Sequence, residues 1–197
     1  MDTLHDIATI HMGYTFRGSV KDAAKGDTSI IQMKDAWPDK IGQTSTFNRV
    51  RINTLPAHFP LCVGDLIFRS RTPHTTTVLI EKIMPLTICA APLMVIRVRL
   101  PEKVLPAYLN WFINSPHTQQ VLVACATGAK SQMISQSAMA RLEVLVPTLA
   151  AQRHIVAEEY KVRQFMREQA IKLKQAQGKS DDYLWEHATD NLASLLP

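Results

Sequence analysis

The sequence has little of what marks membrane and secreted proteins. Its most hydrophobic stretches, LMVIRV at 93–98 and VLVACA at 121–126, are far shorter than the ~20 residues that a membrane-spanning helix needs. The first ten residues, MDTLHDIATI, begin with an acid instead of a basic flank and contain no signal-peptide run. The sequence therefore predicts a soluble, cytoplasmic protein that does not bind a membrane.

Cysteine is also scarce. The chain has three cysteines, Cys62, Cys89 and Cys125, all in apolar settings. An odd and scattered set argues against a disulfide framework, and no two lie close enough in sequence for a zinc knuckle. We interpret them as small buried hydrophobic side chains in a reducing compartment, and we expect no metal and no cofactor.

Motifs of catalytic sites are missing as well. The GAKS stretch at 128–131 lacks the upstream glycine and the preceding strand of a phosphate-binding loop. No Gly-x-Ser-x-Gly elbow occurs, and the seven histidines are dispersed. Asp65 and Glu81 could belong to a nuclease carboxylate cluster, but the adjacent Lys82 falls on the wrong side of its strand for that role. The sequence therefore predicts a protein without a catalytic site of its own.

What the sequence does have is an uneven distribution of positive charge. The net charge is +5. Residues 1–150 hold fifteen lysines and arginines against ten carboxylates, whereas residues 151–197 hold seven of each. Segment 45–99 alone holds seven basic side chains against two acidic ones. A basic segment beside a neutral remainder favours a polyanionic partner, although an ordinary solvated basic face is the alternative that charge alone leaves open.

Hydrophobic periodicity predicts an α+β fold, with a globular domain of mixed helices and strands at 1–148. Helices are predicted at 2–10, 105–114 and 116–126, the last two beginning near Pro106 and Pro116. Strands are predicted at 28–35, 47–53, 75–83, 93–100 and 141–147, and segment 61–73 is predicted to be a turn at Gly64 and Asp65 followed by a strand.

A long helix is predicted at 149–177, because this stretch contains neither proline nor glycine. Its sparse apolar positions and mixed charge are typical of a helix that packs on a helical partner. A helix folded back on its own domain is the alternative. We predict partner contacts from Ile155, Val156, Val162, Met166 and Leu173. A break at Gly178 would leave 178–197 as a short helix or tail.

Several motifs occur in an order that resembles a known family. They are GYTFRG at 13–18, IIQMKD at 30–35, GDLIFRSRTP at 64–73, LNWFINSP at 109–116, ATGAKSQMIS at 126–135 and LEVLVPTLAAQRHIV at 142–156. Over about residues 4–177 the chain is similar to one target-recognition domain plus spacer helix of the specificity (S) subunit of type I restriction–modification enzymes. The motif P-x-L-x-x-Q-x-x-I-V carries most weight; Gln152 fits it, while Ala151 stands where an acid is often found.

The resemblance implies a non-catalytic subunit that recognises a DNA sequence and directs an adenine methyltransferase to it. Family S subunits usually carry two such domains and two helices, whereas this chain has one of each. It therefore resembles a half-size S subunit that forms a homodimer through an antiparallel coiled coil at 149–177. The implied partners are double-stranded DNA, a methyltransferase (M) subunit and, where restriction is served, a restriction (R) subunit in phage defence.

The resemblance and side-chain chemistry together predict which residues contact DNA. Basic side chains neutralise phosphates or bind guanine, glutamine pairs with adenine, and threonine reaches a phosphate or a thymine methyl group. We predict DNA contacts from Gln32, Lys34, Arg49, Arg51, Arg69, Arg71, His74, Thr75, Thr76, Lys130, Ser131 and Gln132. The competing function is a protein–protein interaction module, built on a coiled coil, that does not bind DNA.

Overall fold

The structure is a computed structural model and describes residues 1–17, 26–38, 40–41, 47–71, 75–82, 86–128 and 132–193. It divides into a first unit, Met1–His154, and a second unit that begins at Ile155. The elements are β1 Asp2–Thr3, α1 Leu4–Ile7, β2 Ala8–Met12, β3 Thr28–Ile31, β4 Asn48–Val50, β5 Leu66–Arg69, β6 Thr76–Leu79, β7 Thr87–Cys89, β8 Leu93–Val98, α2 Pro106–Asn114, α3 Pro116–Ala124, α4 Gln136–Ala140, β9 Glu143–Val144 and α5 Leu149–Ala193. The predicted α+β class is confirmed.

A four-stranded antiparallel sheet forms the centre of the first unit. Its strand order is β2-β8-β5-β6. In β5 and β8 the apolar runs that predicted these strands are buried, with Leu66 opposite Ile96 and Phe68 opposite Met94. Because both faces of these strands are covered, their sequences are continuously hydrophobic and do not alternate with polar residues.

A three-stranded sheet packs beside the first. Its order is β4-β3-β7, with β3 antiparallel to β4 and parallel to β7. Buried side chains from both sheets, including Ile31, Ile67 and Leu93, form one hydrophobic cluster. Gly13 lets the chain after β2 approach β7 closely, since a Cβ there would lie 2.6 Å from the carbonyl carbon of Ala90. The two sheets therefore share a core beneath the ends of β3 and β5.

The predicted helix at 2–10 is wrong over most of its length. Only Leu4–Ile7 is helical, and it begins after Thr3, whose backbone N–H donates to the Asp6 carboxylate at 2.8 Å. The flanking residues pair with distant strands, β1 with β9 and β2 with β8. Pairing with these strands outweighs a local helical pattern, which is a weak preference by comparison.

Helix α5 runs on through Gly178 to Ala193, where the sequence predicted a break. One glycine inside a helix costs only about 1 kcal/mol relative to alanine, so a long helix can contain it. Among the described residues, no helix combines the length and the apolar character needed to cross a bilayer.

Candidate nucleic-acid interface

The chain just beyond β5 adjoins the loop at 127–133. The carbonyl of Ser70 accepts the N–H of Ile134 at 2.9 Å, and Arg71 forms an antiparallel bridge with Met133. Met133 and Thr127 in turn exchange two backbone hydrogen bonds, of 2.8 and 3.0 Å. The loop expected to lie against DNA is thus closed at its base and joined to the end of β5.

A turn at 32–37 follows β3. The carboxylate of Asp35 accepts the N–H of Gln32 at 3.0 Å. In return, the N–H groups of Asp35 and Ala36 donate to the Gln32 carbonyl at 2.9 and 3.2 Å. These reciprocal bonds fix the backbone of the turn and leave the side chain of Lys34 exposed.

Arg69 joins β5 to this turn. Its guanidinium donates to the Met33 carbonyl, and its Cζ lies 3.8 Å from the centre of a Trp37 ring. The residue is only 8% exposed, and burial lowers the pKa of its guanidinium, which remains charged. The sequence predicted a DNA contact here, but the side chain is turned into the protein and has little surface for DNA.

The threonines at the start of β6 also bind within the protein. Thr75 is buried, and its hydroxyl donates to Gln119 Oε1 at 2.5 Å. The hydroxyl of Thr76 donates to Asn114 Oδ1 at 2.8 Å. Both hydroxyls, which were predicted to contact DNA, use their protons to hold β6 against α2 and α3.

The side chains that remain at this end of β5 are exposed polar and basic ones. Lys34, Arg71 and Gln132 are exposed, and Gln32 is half-buried. In the described part of the chain, Nε2 of Gln32 is buried without a hydrogen-bond partner. The predicted contacts His74, Lys130 and Ser131 lie outside the described residues.

Solved structures share this architecture, although no protein-family profile and no curated protein matches the sequence. An HsdS subunit from Thermoanaerobacter tengcongensis superimposes with a TM-score of 0.64 at 18% identity, covering 93% of this chain and 46% of that one. A type I restriction–modification S subunit from M. genitalium gives 0.55 at 13%, covering 80% and 37%. A third structure, which concerns complex assembly and conformational transition of the type I R-M system, gives 0.60 at 18%, covering 90% and 40%.

The chain has an S-subunit-like fold. The resemblance predicted from the motifs is thereby confirmed as a likeness of fold. The chain spans less than half the length of each of those proteins.

Within this S-subunit-like fold, Arg49 belongs to β4 of the smaller sheet, and Arg51 follows that strand. Both are exposed, and Arg49 lies opposite Ser29 on β3. Gln32 lies three residues beyond Ser29, which corresponds to about 10 Å along an extended chain. The structure therefore places the two arginines towards the beginning of β3, whereas the turn at 32–37 follows its end.

Two basic residues of the 45–99 segment bind inside the S-subunit-like fold. Arg97 forms a paired contact with Asp65, at 2.6 Å from Nε and 2.7 Å from Nη2, and this hydrogen bonding raises the pKa of Arg97. Arg99 donates to the carbonyl of His5. Together with Arg69, they show that part of the positive segment stabilises the fold, which charge counting alone could not reveal.

The cysteines differ from expectation. Cys89 is buried, and burial raises the pKa of its thiol to about 12. Cys62 and Cys125 are exposed, so the prediction of three buried cysteines is wrong for these two. No three metal-ligating side chains converge anywhere in the described ranges.

Proposed function

We propose that this chain is a non-catalytic DNA-recognition subunit that directs an adenine methyltransferase to its site. The observation that carries the proposal is the grouping of Lys34, Arg71 and Gln132 on exposed positions of three segments that meet at the end of β5. Such side chains supply the donors that phosphate oxygens and purine edges accept. The S-subunit-like fold supports the same assignment, with a cytoplasmic M subunit and, where restriction is served, an R subunit as partners in phage defence.

We infer that α5 pairs with a second copy of the chain. Its side chains Val162, Phe165, Met166 and Leu173 are 58%, 61%, 65% and 61% exposed. Salt bridges Lys161–Glu158 and Arg163–Glu159, of 2.7 and 2.5 Å, lie along the same stretch. Exposed apolar side chains flanked by charge are the pattern of a coiled-coil seam.

The spacing of the seam favours an antiparallel pair. The spacings between successive seam residues are seven, four and seven, for Ile155, Val162, Met166 and Leu173. This order of spacings is the same in both chain directions. An antiparallel pair with its two-fold axis level with position 164 places Ile155 against Leu173 of the second copy. It also places Val162 against Met166. Val156, predicted as a seam residue, is rotated about 100° from Ile155 and lies at the flank.

A two-fold dimer has a consequence for the DNA. The Ile155 positions of the two copies lie about 27 Å apart along such a pair. Two identical recognition units related by a two-fold axis bind the same half-site twice, in inverted orientation. We therefore expect a symmetric target made of two separated halves.

Salt-dependent binding tests the proposed function. With the chain in complex with its methyltransferase, log K for a duplex should fall against log salt with a slope steeper than about −3. Replacing Lys34 and Arg71 by alanine should weaken binding and flatten that slope by roughly 2 for each recognition unit. The control Arg167→Ala removes a cation from exposed α5 and should leave the slope unchanged. A flat slope for the unaltered complex would contradict DNA recognition.

The exposed seam of α5 also fits the second candidate, a protein–protein interaction module. Under this second candidate, the chain would dimerise or bind a helical partner. Addition of a DNA duplex would then not shift its elution position in size-exclusion chromatography. A shift that disappears at high salt excludes this candidate.

A further inference from the structure

We propose that Arg69 is a positioning residue, which holds the turn at 32–37 in the shape that it presents to DNA. The proposal rests on the proposed DNA-recognition function. It assigns different roles to Arg69 and Arg71, two arginines that strand alternation places on one side of β5 and its extension.

Arg69 contacts the turn at two points. Its guanidinium donates to the carbonyl of Met33 near the beginning of the turn, and it stacks over Trp37 at the end, 3.8 Å from the ring centre. A planar guanidinium can stack on an aromatic face and donate in its own plane at the same time. A lysine ammonium cannot reproduce both contacts, because its donors are not confined to one plane.

The turn itself is closed by its own hydrogen bonds. Asp35 and Gln32 bond reciprocally through carboxylate, N–H and carbonyl groups. Arg69 therefore does not need to form the turn; it fixes the turn against the end of β5. Lys34 is displayed at the exposed position between the bonded residues.

Gln32 gives this turn an unsatisfied donor. Its Nε2 is buried and has no partner in the described ranges, and buried polar groups are otherwise almost always hydrogen-bonded. A glutamine amide with an unused donor is chemically suited to pair with adenine. The turn thus holds one group suited to a phosphate, Lys34, and one suited to a base.

Direct contact between Arg69 and phosphate is not the better explanation of its position. The side chain is 8% exposed, whereas Arg71, two residues later, is exposed. A phosphate contact changes the salt dependence of binding, while a positioning residue changes which bases are preferred. The two roles can therefore be measured separately.

The first experiment needs no DNA. Hydrogen exchange of the Asp35 and Ala36 amides is compared between the unaltered chain and Arg69→Ala. We expect roughly tenfold faster exchange at these amides, with amides of β8 unchanged as the internal control. Unchanged exchange at Asp35 and Ala36 would overturn the positioning role. If Arg69→Ala does not fold, Trp37→Leu removes the stacking surface instead and should give the same local effect.

The second experiment selects duplexes from a randomised library with the methyltransferase complex. The unaltered complex should enrich one half-site. Arg69→Ala should lose the preference at one or two base positions. Arg71→Ala should keep the preferences and flatten the slope by roughly 1 for each recognition unit. Arg69→Lys keeps the charge but not the paired contacts, so it should resemble Arg69→Ala.

The outcomes separate the two proposals. If Arg69→Lys restores the preferences that Arg69→Ala loses, Arg69 acts through its charge and the inference is wrong. If the unaltered complex enriches no sequence, the proposed function fails, and the positioning role for DNA fails with it, whatever the exchange experiment shows.

Discussion

At the scale of single residues, His11 shows how packing changes a titratable group. Burial lowers the pKa of its imidazole from 6.5, and the electrostatic effects of His58 and Arg97 act in the same direction, against a backbone hydrogen bond to Met12 and the carboxylate of Asp65. The ring packs edge-on against His58 and Phe59, at centroid distances of 5.3 and 6.2 Å. Its Nε2 is buried and unpartnered in the described part of the chain.

This residue predicts a pH dependence of stability. The pKa of His11 is lower in the folded chain than in the unfolded one, so protons bind the unfolded chain more tightly. The free energy of unfolding should therefore be fully retained above pH about 6.5 and should decrease as pH falls below it. Urea unfolding at pH 7.5 and 5.5 measures this change. His11→Phe should reduce the difference between the two pH values, whereas the exposed control His154→Gln should keep it; equal losses in all three would contradict the prediction.

Residue chemistry also shows what a sequence could and could not predict. The alternation of β5 predicts Arg69 and Arg71 on one side, because side chains point to opposite faces at successive positions. It could not show that Trp37 covers the first of them, since that contact joins residues thirty-two positions apart. The burial of a side chain depends on such distant neighbours. The different roles proposed for the two arginines therefore could not be predicted from the sequence.

At the scale of elements, predictability followed the strength of the local signal. Strands β5 and β8 and helices α2 and α3 were predicted because long apolar runs and first-turn prolines mark them. Strands β2 and β7 were missed because their extended conformation comes from pairing, β2 with β8 and β7 with β3. A short segment has no strong conformational preference of its own, so its partner decides.

The seam of α5 gives a prediction for the dimer. Val162→Glu places two like charges in the apolar centre of the pair, and burying an unpaired charge is costly. We expect the dimer to weaken by roughly a hundredfold or more, as measured by sedimentation of the chain over a range of concentrations. Ile171→Glu is the matched control, because Ile171 is also apolar and 49% exposed but lies roughly opposite the seam. Equal weakening by both variants would contradict the proposed register.

At the scale of the whole molecule, the two units have different sources of stability. The first unit contains the buried core, and Gln152 belongs to it. Its Nε2 donates to the carbonyls of Lys103 and Pro147, both at 2.8 Å, and its Oε1 accepts the N–H of Leu105 at 2.8 Å. The start of α5 is therefore part of the globular unit, whereas its apolar side chains from Val162 onward are exposed.

Truncation tests this division. A chain that ends after His154 retains Gln152 and should fold as a monomer with nearly the stability of the first unit. A chain that ends after Pro147 loses the three hydrogen bonds of Gln152 and should have an unfolding free energy lower by several kcal/mol, at about 1–3 kcal/mol for each buried group left unpaired. Thermal unfolding and size-exclusion chromatography measure both expectations. A dimer from either truncated chain would refute the role given to α5.

The order of motifs predicted the fold of the molecule, but it did not predict the candidate interface. Met33, Arg69 and Met133 are separated by thirty-six and sixty-four residues, and no local pattern shows that their segments meet. The packing of the two sheets brings the ends of β3 and β5 together, and the bridge from Arg71 to Met133 adds the third segment of the candidate interface.

The loop at 127–133 is closed at its base, so its sequence can vary without a change in the neighbouring strands. Thr127 and Met133 bond to each other through their backbones, and Gly128 takes the left-handed geometry, with φ of 122°, that lets the chain leave the paired position. New sequence can be inserted between these two anchors without rebuilding any strand. Under the proposed function, substitutions between these anchors would change the contacts with DNA while the paired backbone at the base of the loop stays the same.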